Sequence, residues 1–295
     1  GVRDVWGQVI ELVNSHERLL ANVWFPTIVG MSLRQHALDA LSICHPRDKV
    51  AAVQRLWTEQ HQLALTPSAV LTPSLPLPGR PERPRLLPPK DVPSRTPFTP
   101  EGLAALIHAV CHIEFNAINL GLDAVWRFSE MPEAFYRDWL LVAHEEAYHF
   151  SILHALLNEL GYDYGDFDAH DGLWQMCEKT ADDVLARMAL VPRTLEARGL
   201  DATPLIQAKL RKAASPGAFK AVELLDIILR DEVGHVAIGN HWYRWLSTQR
   251  GLDPVPLYGE LVKRYDAPTL RAPFNKEARK RAGFTDVELD YLLGA

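Results

Sequence analysis

The sequence predicts an all-α protein built on a four-helix bundle, with additional N-terminal helices, a proline-rich strap and a C-terminal helical extension. Three observations carry this. Four long segments repeat apolar residues every three or four positions. Capping residues and helix breakers mark their ends. Two of the four carry the same Glu-x-x-His spacing near their middles, which places acid and imidazole on one helix face.

Residues 1–66 read as an N-terminal helical region. Val5, Val9, Leu12 and Val13 recur at helical spacing, as do Leu33, Ala37, Leu38 and Leu41. Pro46 opens a further stretch carrying Val50, Val53, Leu56 and Trp57, with proline at an early helical position. From Pro67 to Pro100 eleven of 34 residues are proline, a composition that favours extended chain. This stretch is expected to be a strap against the bundle, anchored by Leu71, Leu75, Leu77, Leu86, Leu87 and Phe98, because a free linker is usually more polar.

The bundle itself is expected over residues 101–250. Its first helix starts at Thr99-Pro100, an N-cap followed by proline, and runs to about Phe128. The second runs from about Pro132 to Leu160 and stops at Gly161. The link to Gly172, rich in Tyr, Asp and Gly, is long enough at about 3.3 Å per residue to cross one bundle face. The third helix is expected from near Asp171 to Gly199, kinked at Pro192. The fourth follows Ser215-Pro216 and continues to Arg250. Residues 251–295 form the extension, in which Thr285 and Glu288 have capping-box spacing before a last short helix.

The chemistry lies in the bundle. Glu146 and His149 sit three residues apart on the second helix, Glu232 and His235 on the fourth. One such pair is weak: with 18 Glu and 12 His in 295 residues, chance gives about 0.7 matches. Their context is stronger. Glu114 lies 32 residues before Glu146 and Glu196 lies 36 before Glu232, separations that return an antiparallel hairpin to the same height. Four carboxylates and two imidazoles then converge on one level, the donor set of a carboxylate-bridged dimetal bundle. Four carboxylates neutralise two divalent ions, whereas without metal they would repel and be costly to desolvate. Glu178 is the alternative to Glu196, but it lies 54 residues before Glu232 and breaks the hairpin symmetry.

Glu145 and Asp231 each directly precede a bundle Glu. A metal-bound imidazole normally gives its second ring proton to a carboxylate, so Asp231 is expected to support His149, and Glu145 to support His235. His108, His112, His154 and His241 are expected to pack or face solvent. Gly234 and Gly239 are expected to admit close packing or leave room beside the site. Lys263, Arg264, Arg271, Lys276, Arg279, Lys280 and Arg281 read as a solvated basic face.

Composition narrows the function classes. The net charge of −6 gives no overall attraction to nucleic acid. Cys44, Cys111 and Cys177 are too few and too scattered for a disulfide framework or a thiolate zinc site, which suits a reducing cytoplasm. No unbroken apolar run is long enough for a bilayer, and the opening residues show no secretory pattern.

With these residues in place, the chain resembles the ferritin-like superfamily of diiron proteins, to whose ligand pattern Glu114, Glu146 with His149, Glu196, and Glu232 with His235 correspond. More narrowly it resembles an uncharacterised family of bacterial ferritin-like proteins. The resembling segments are His112 to Ile118, Gly165 to Phe167 with Ala169 to Trp174, Leu195 to Asp201 and Arg230 to Gly239, within a match over about residues 35–290. The resemblance implies a ferritin-like bundle and a metal pair, and supplies no substrate; a more distant relative is a tRNA-modifying hydroxylase.

The reading that follows is a non-haem dimetal oxidoreductase. Its reduced pair, iron or else manganese or mixed manganese and iron, would bind dioxygen and oxidise a small organic substrate, with electrons from a separate donor. A monomer or small homo-oligomer is expected, with no membrane and no nucleic-acid partner. The alternatives are a ferroxidase or iron-handling protein, and a structural protein held together by a redox-inactive ion.

Overall fold

The computed structural model describes residues 31–93 and 96–294, and every regular element among them is helical. The expected helix around Val5–Val13 lies outside the described residues. Two short helices come first, α1 (Leu33–Leu41) and α2 (Pro46–Glu59). The bundle follows: α3 (Pro100–Arg127), α4 (Glu133–Glu159), α5 (Gly172–Lys179), α6 (Val184–Leu190), a π-helical turn (Val191–Glu196), α7 (Ala197–Ala213) and α8 (Pro216–Gln249). The extension supplies α9 (Pro254–Arg264), α10 (Lys276–Arg281) and α11 (Asp286–Gly294).

Local chemistry sets most ends. The Thr99 hydroxyl accepts from the Gly102 amide at 3.1 Å and Ser215 accepts from Ala218 at 3.2 Å, each ahead of a proline that needs no donor. At α11 the capping box closes both ways: Glu288 N–H donates to Thr285 Oγ1 at 3.3 Å, and Thr285 N–H donates to the Glu288 carboxylate at 2.8 Å.

Helices α3 and α4 form one hairpin, and the run α6–π–α7 forms the second with α8; α4 packs against α8, and α1 and α2 lie outside on α3 and α4. The first hairpin packs closely at Gly121, where a Cβ would stand 3.0 Å from the Ala143 Cβ, one turn from Glu146. Helix α3 is long and apolar enough to cross a membrane, but most of that stretch is buried in this fold, as befits a core helix. Its apolarity is interrupted by polar residues, which is why no single run betrays it.

The third helix departs from expectation. α5 is separate, and the next helical run begins at Asp183, whose carboxylate caps the Leu185 and Ala186 amides. Helix continues through Gly199 and Pro204 to Ala213, because Leu200, Thr203, Gln207 and Leu210 form a buried stripe that glycine's cost does not outweigh. At Pro192 the chain widens into a π turn rather than kinking, since proline has no amide for the usual bond.

The strap is fixed, but only some of the expected apolar anchors do it. Leu71 and Leu77 pack on the core, whereas Leu75, Leu86 and Phe98 are exposed. Polar groups hold it as well. Buried Arg34 donates to the carbonyls of Thr66, Pro67 and Ala69 at 2.7–3.1 Å, and to Trp126 O at the end of α3. Lys49 donates to Gly79 O at 2.9 Å, Arg80 pairs with Asp171 at 2.7 Å, and Leu86 bridges Ala169 in the 161–171 crossover loop. A proline-rich chain has spare carbonyls, and cationic donors suit them. The basic face is also corrected in part: Arg279 is buried against Asp201 at 2.6 Å.

Candidate metal centre

Four of the six expected side chains, Glu114 from α3, Glu146 and His149 from α4, and Glu232 from α8, bring one ligand-type atom each within 4.8 Å of one another. All are buried. Glu146 lies at the middle: its Oε2 is 3.3 Å from His149 Nδ1, and its Oε1 is 2.9 Å from His235 Nδ1. His235 is thereby joined to the group, and its Nδ1 also stands 3.5 Å from Glu232 Oε1. Glu114 Oε2 approaches His149 Nδ1 from the other side at 3.4 Å. The two imidazole centroids are 5.8 Å apart.

Glu196 is not among those four; it ends the π turn, with both carboxylate oxygens buried. Its carboxyl feels the charges of Glu232, Glu146, His235 and Glu114. Glu178 is exposed and takes no part.

The outer nitrogens point to carboxylates across the bundle. His149 Nε2 is 3.1 Å from Asp231 Oδ2, and His235 Nε2 is 2.7 Å from Glu145 Oε2. Both Nδ1 atoms therefore face the acids and both Nε2 atoms face an outer carboxylate, the division of labour of a metal-binding imidazole. Sequence reading missed Arg230, which donates to both Asp231 oxygens at 2.8 and 3.1 Å. Its adjacency to Asp231 was the available signal, but an exposed arginine beside an acid is common.

The electrostatics describe a site short of positive charge. Burial, and then the Glu146 charge, push the Glu114 carboxyl up to about 8. Burial and then Glu232 and Glu146 hold Glu196 well above the usual carboxylate range. Burial works against charge on Glu146 too, but contacts from His149 and His235 bring it below its ordinary value. Burial likewise opposes charge on the imidazoles, yet surrounding carboxylates raise both well above theirs, Asp231 first for His149 and Glu145 first for His235. Asp231 is held low despite burial by His149 and Arg230.

Buried oxygens in this cluster lack hydrogen-bond partners: Glu114 Oε2, Glu146 Oε1 and both oxygens of Glu196, together with His235 Nδ1. Glu146 Oε1 and His235 Nδ1 are within contact range, yet they are not aligned for a hydrogen bond. Orphaned buried acceptors are costly. Atoms that converge without bonding to each other are what a cation requires, so the cluster can hold a metal ion through hard oxygen and imidazole donors.

The remaining flagged residues do other work. His112 meets Tyr164 Oη at 2.8 Å and the His170 carbonyl at 3.1 Å, and His108 accepts from the Gly165 amide at 3.0 Å; both fasten the crossover loop. Gly239 lets α8 approach the π turn, for a Cβ there would stand 2.5 Å from Pro192 Cβ, whereas Gly234 has nothing within 4 Å and admits no packing.

Comparison with known proteins gives kinship without an activity. The family model described as "Protein of unknown function (DUF455)" matches residues 42–290. A relative from Haemophilus influenzae (strain ATCC 51907 / DSM 11121 / KW20 / Rd), described as an uncharacterized protein, is 50% identical over 269 residues, covering 88% of this chain and 92% of its own. No solved structure matches.

Proposed function

We propose that the chain, which belongs to the DUF455 family, is a non-haem dimetal oxidoreductase of ferritin-like type that activates dioxygen to oxidise a small organic substrate. The observation that carries this reading is Glu146, whose two oxygens each face a different imidazole Nδ1, with three further buried acids around them. That is the layout of a carboxylate shared by two ions. Glu114 and His149 would hold one ion, Glu196, Glu232 and His235 the other, with Glu146 between them.

Bound iron would supply redox chemistry with dioxygen; manganese or a mixed pair fits the same donors. The chain's own residues do the rest. Asp231 and Glu145 fix the imidazole tautomers, leaving each Nδ1 free to ligate once its proton is displaced. Glu146, His149 and His235 are closed to solvent, while Glu196 and Glu232 each keep 9% exposure. Glu196, held by no side-chain partner, would be free to ligate. An oxidase of this kind requires an electron donor, and the three free cysteines suit a reducing cytoplasm.

The test is metal analysis with dioxygen uptake. The wild-type chain should carry two ions and, loaded with Fe(II), consume dioxygen. Glu232→Ala and His235→Ala should each lower the metal content. Unchanged metal content in both variants would refute their ligand role. Fe(II) protein stable in air would favour a structural metal, and uptake proportional to excess Fe(II) would favour a ferroxidase.

A further inference from the structure

Every expected ligand but one touches another member of the cluster. Glu114 and Glu146 meet His149, and Glu146 and Glu232 meet His235. Neither oxygen of Glu196 has a hydrogen-bond partner, so the backbone that carries it decides where it points. That backbone is the π turn Val191–Glu196, a wider and less regular path than the helices on either side.

The turn is gripped on its far side by the C-terminal extension. Buried Arg193 donates to Glu288 Oε1 at 2.8 Å and to Asn240 Oδ1 at 2.5 Å. Its guanidinium lies over the rings of Phe284, Tyr243 and Tyr258 at 4.6, 5.0 and 5.5 Å. Glu288 is fixed in turn by Arg244 and by the α11 capping box. Thr194 donates to the Ala189 carbonyl, five residues back, at 2.7 Å, which leaves its oxygen to accept from the Tyr258 hydroxyl at 2.9 Å. Gly239 admits Pro192 from α8.

We infer that the C-terminal extension positions Glu196: Glu288 and Tyr258 lock Arg193 and Thr194, and through them the turn that aims the carboxylate at the metals. This rests on the dimetal reading above. Glu288, Tyr258 and Arg193 are positioning residues, since none of them is a ligand. The half of the site served by Glu196 depends on the extension; the half served by Glu114 and His149 does not.

The test uses Co(II) as probe, titrated into the full metal-free chain and followed by its visible absorption. Wild type should take two equivalents. Tyr258→Phe, which deletes one hydroxyl, and Glu288→Gln, which removes the charge facing Arg193, should each keep the helical circular dichroism and the first equivalent, weaken the second at least tenfold and shift its absorption band. Glu288→Asp, which restores the charge, should recover part of the second equivalent. Should Glu288→Gln not fold, Tyr258→Phe carries the same outcomes alone. Two equivalents of unchanged affinity and spectrum in the folded variants would overturn this inference and leave the dimetal reading intact. A wild-type chain that takes up no Co(II) would bring down both.

Discussion

Glu114→Gln should change the sign of its effect on stability when metal is added. Burial, reinforced by Glu146, raises the folded-state carboxyl from 4.5 to about 8. A raised acid favours its neutral form in the folded chain, while the unfolded chain releases the proton earlier. The metal-free protein therefore loses stability as pH climbs from about 4.5 to about 8. At about 1.4 kcal/mol per pH unit the loss from this group is about 5 kcal/mol in full and about 3 kcal/mol at pH 7. Glutamine does not titrate, so the metal-free variant should exceed wild type by about 3 kcal/mol at pH 7 and by little at pH 4.5. With metal at pH 7 the order reverses, because the ion requires the carboxylate; at a thousandfold excess over Kd, wild type gains about 4.1 kcal/mol, more than its metal-free deficit, while a variant that binds poorly gains little. Urea unfolding between pH 4.5 and 8, with and without Fe(II) under anaerobic conditions, measures both halves. A metal-free variant no more stable than wild type at pH 7, or an equal gain from metal in both proteins, would refute the reasoning.

Two further substitutions test what holds the frame. Arg34→Met should cost about 3 kcal/mol in urea unfolding, because it strips donors from the buried Trp126 carbonyl at the end of α3 and from part-buried carbonyls along residues 66–69; limited proteolysis should then cut within the strap, and a loss under 1 kcal/mol would contradict this anchoring. Lys49 is fully buried, donates to Gly79 O and Asn119 Oδ1, and is held by burial down to about 7. A lowered amine costs stability fully below its folded value and is relieved as pH rises toward 10.5. Wild type should therefore lose ground to Lys49→Met as pH falls from 10.5 to 7, by about 1.4 kcal/mol per pH unit; parallel stability curves would rule it out.

What the sequence made legible was whatever is written locally. Thr99-Pro100 and Ser215-Pro216 announce helix starts because a capping oxygen and a missing amide act within four residues. The pairs Glu146/His149 and Glu232/His235 could be read because helical spacing fixes a shared face, and Asp231 and Glu145 because each adjoins a pair. The grouping of Glu114 with Glu146 followed from hairpin arithmetic alone.

What escaped depends on partners far away in sequence. Leu75 and Phe98 looked like anchors by polarity, but the strap is held by Arg34 and Lys49, whose donors find carbonyls about 30 residues on and α3's end about 90 residues on. Nothing in the local pattern of either residue distinguishes such a cation from a surface one. The third helix failed for the same reason. Gly199 reads as a stop, yet the stripe through Leu200 and Leu210 buries enough surface against α8 to carry the helix past it and past Pro204. Pro192 did mark an irregularity, but a kink and a π turn have the same local signature. The choice is made by Gly239, which gives Pro192 room, and by Glu288, 95 residues from Arg193, which holds the widened turn in place. The acid whose placement was hardest to read is thus the one whose backbone is set furthest from itself.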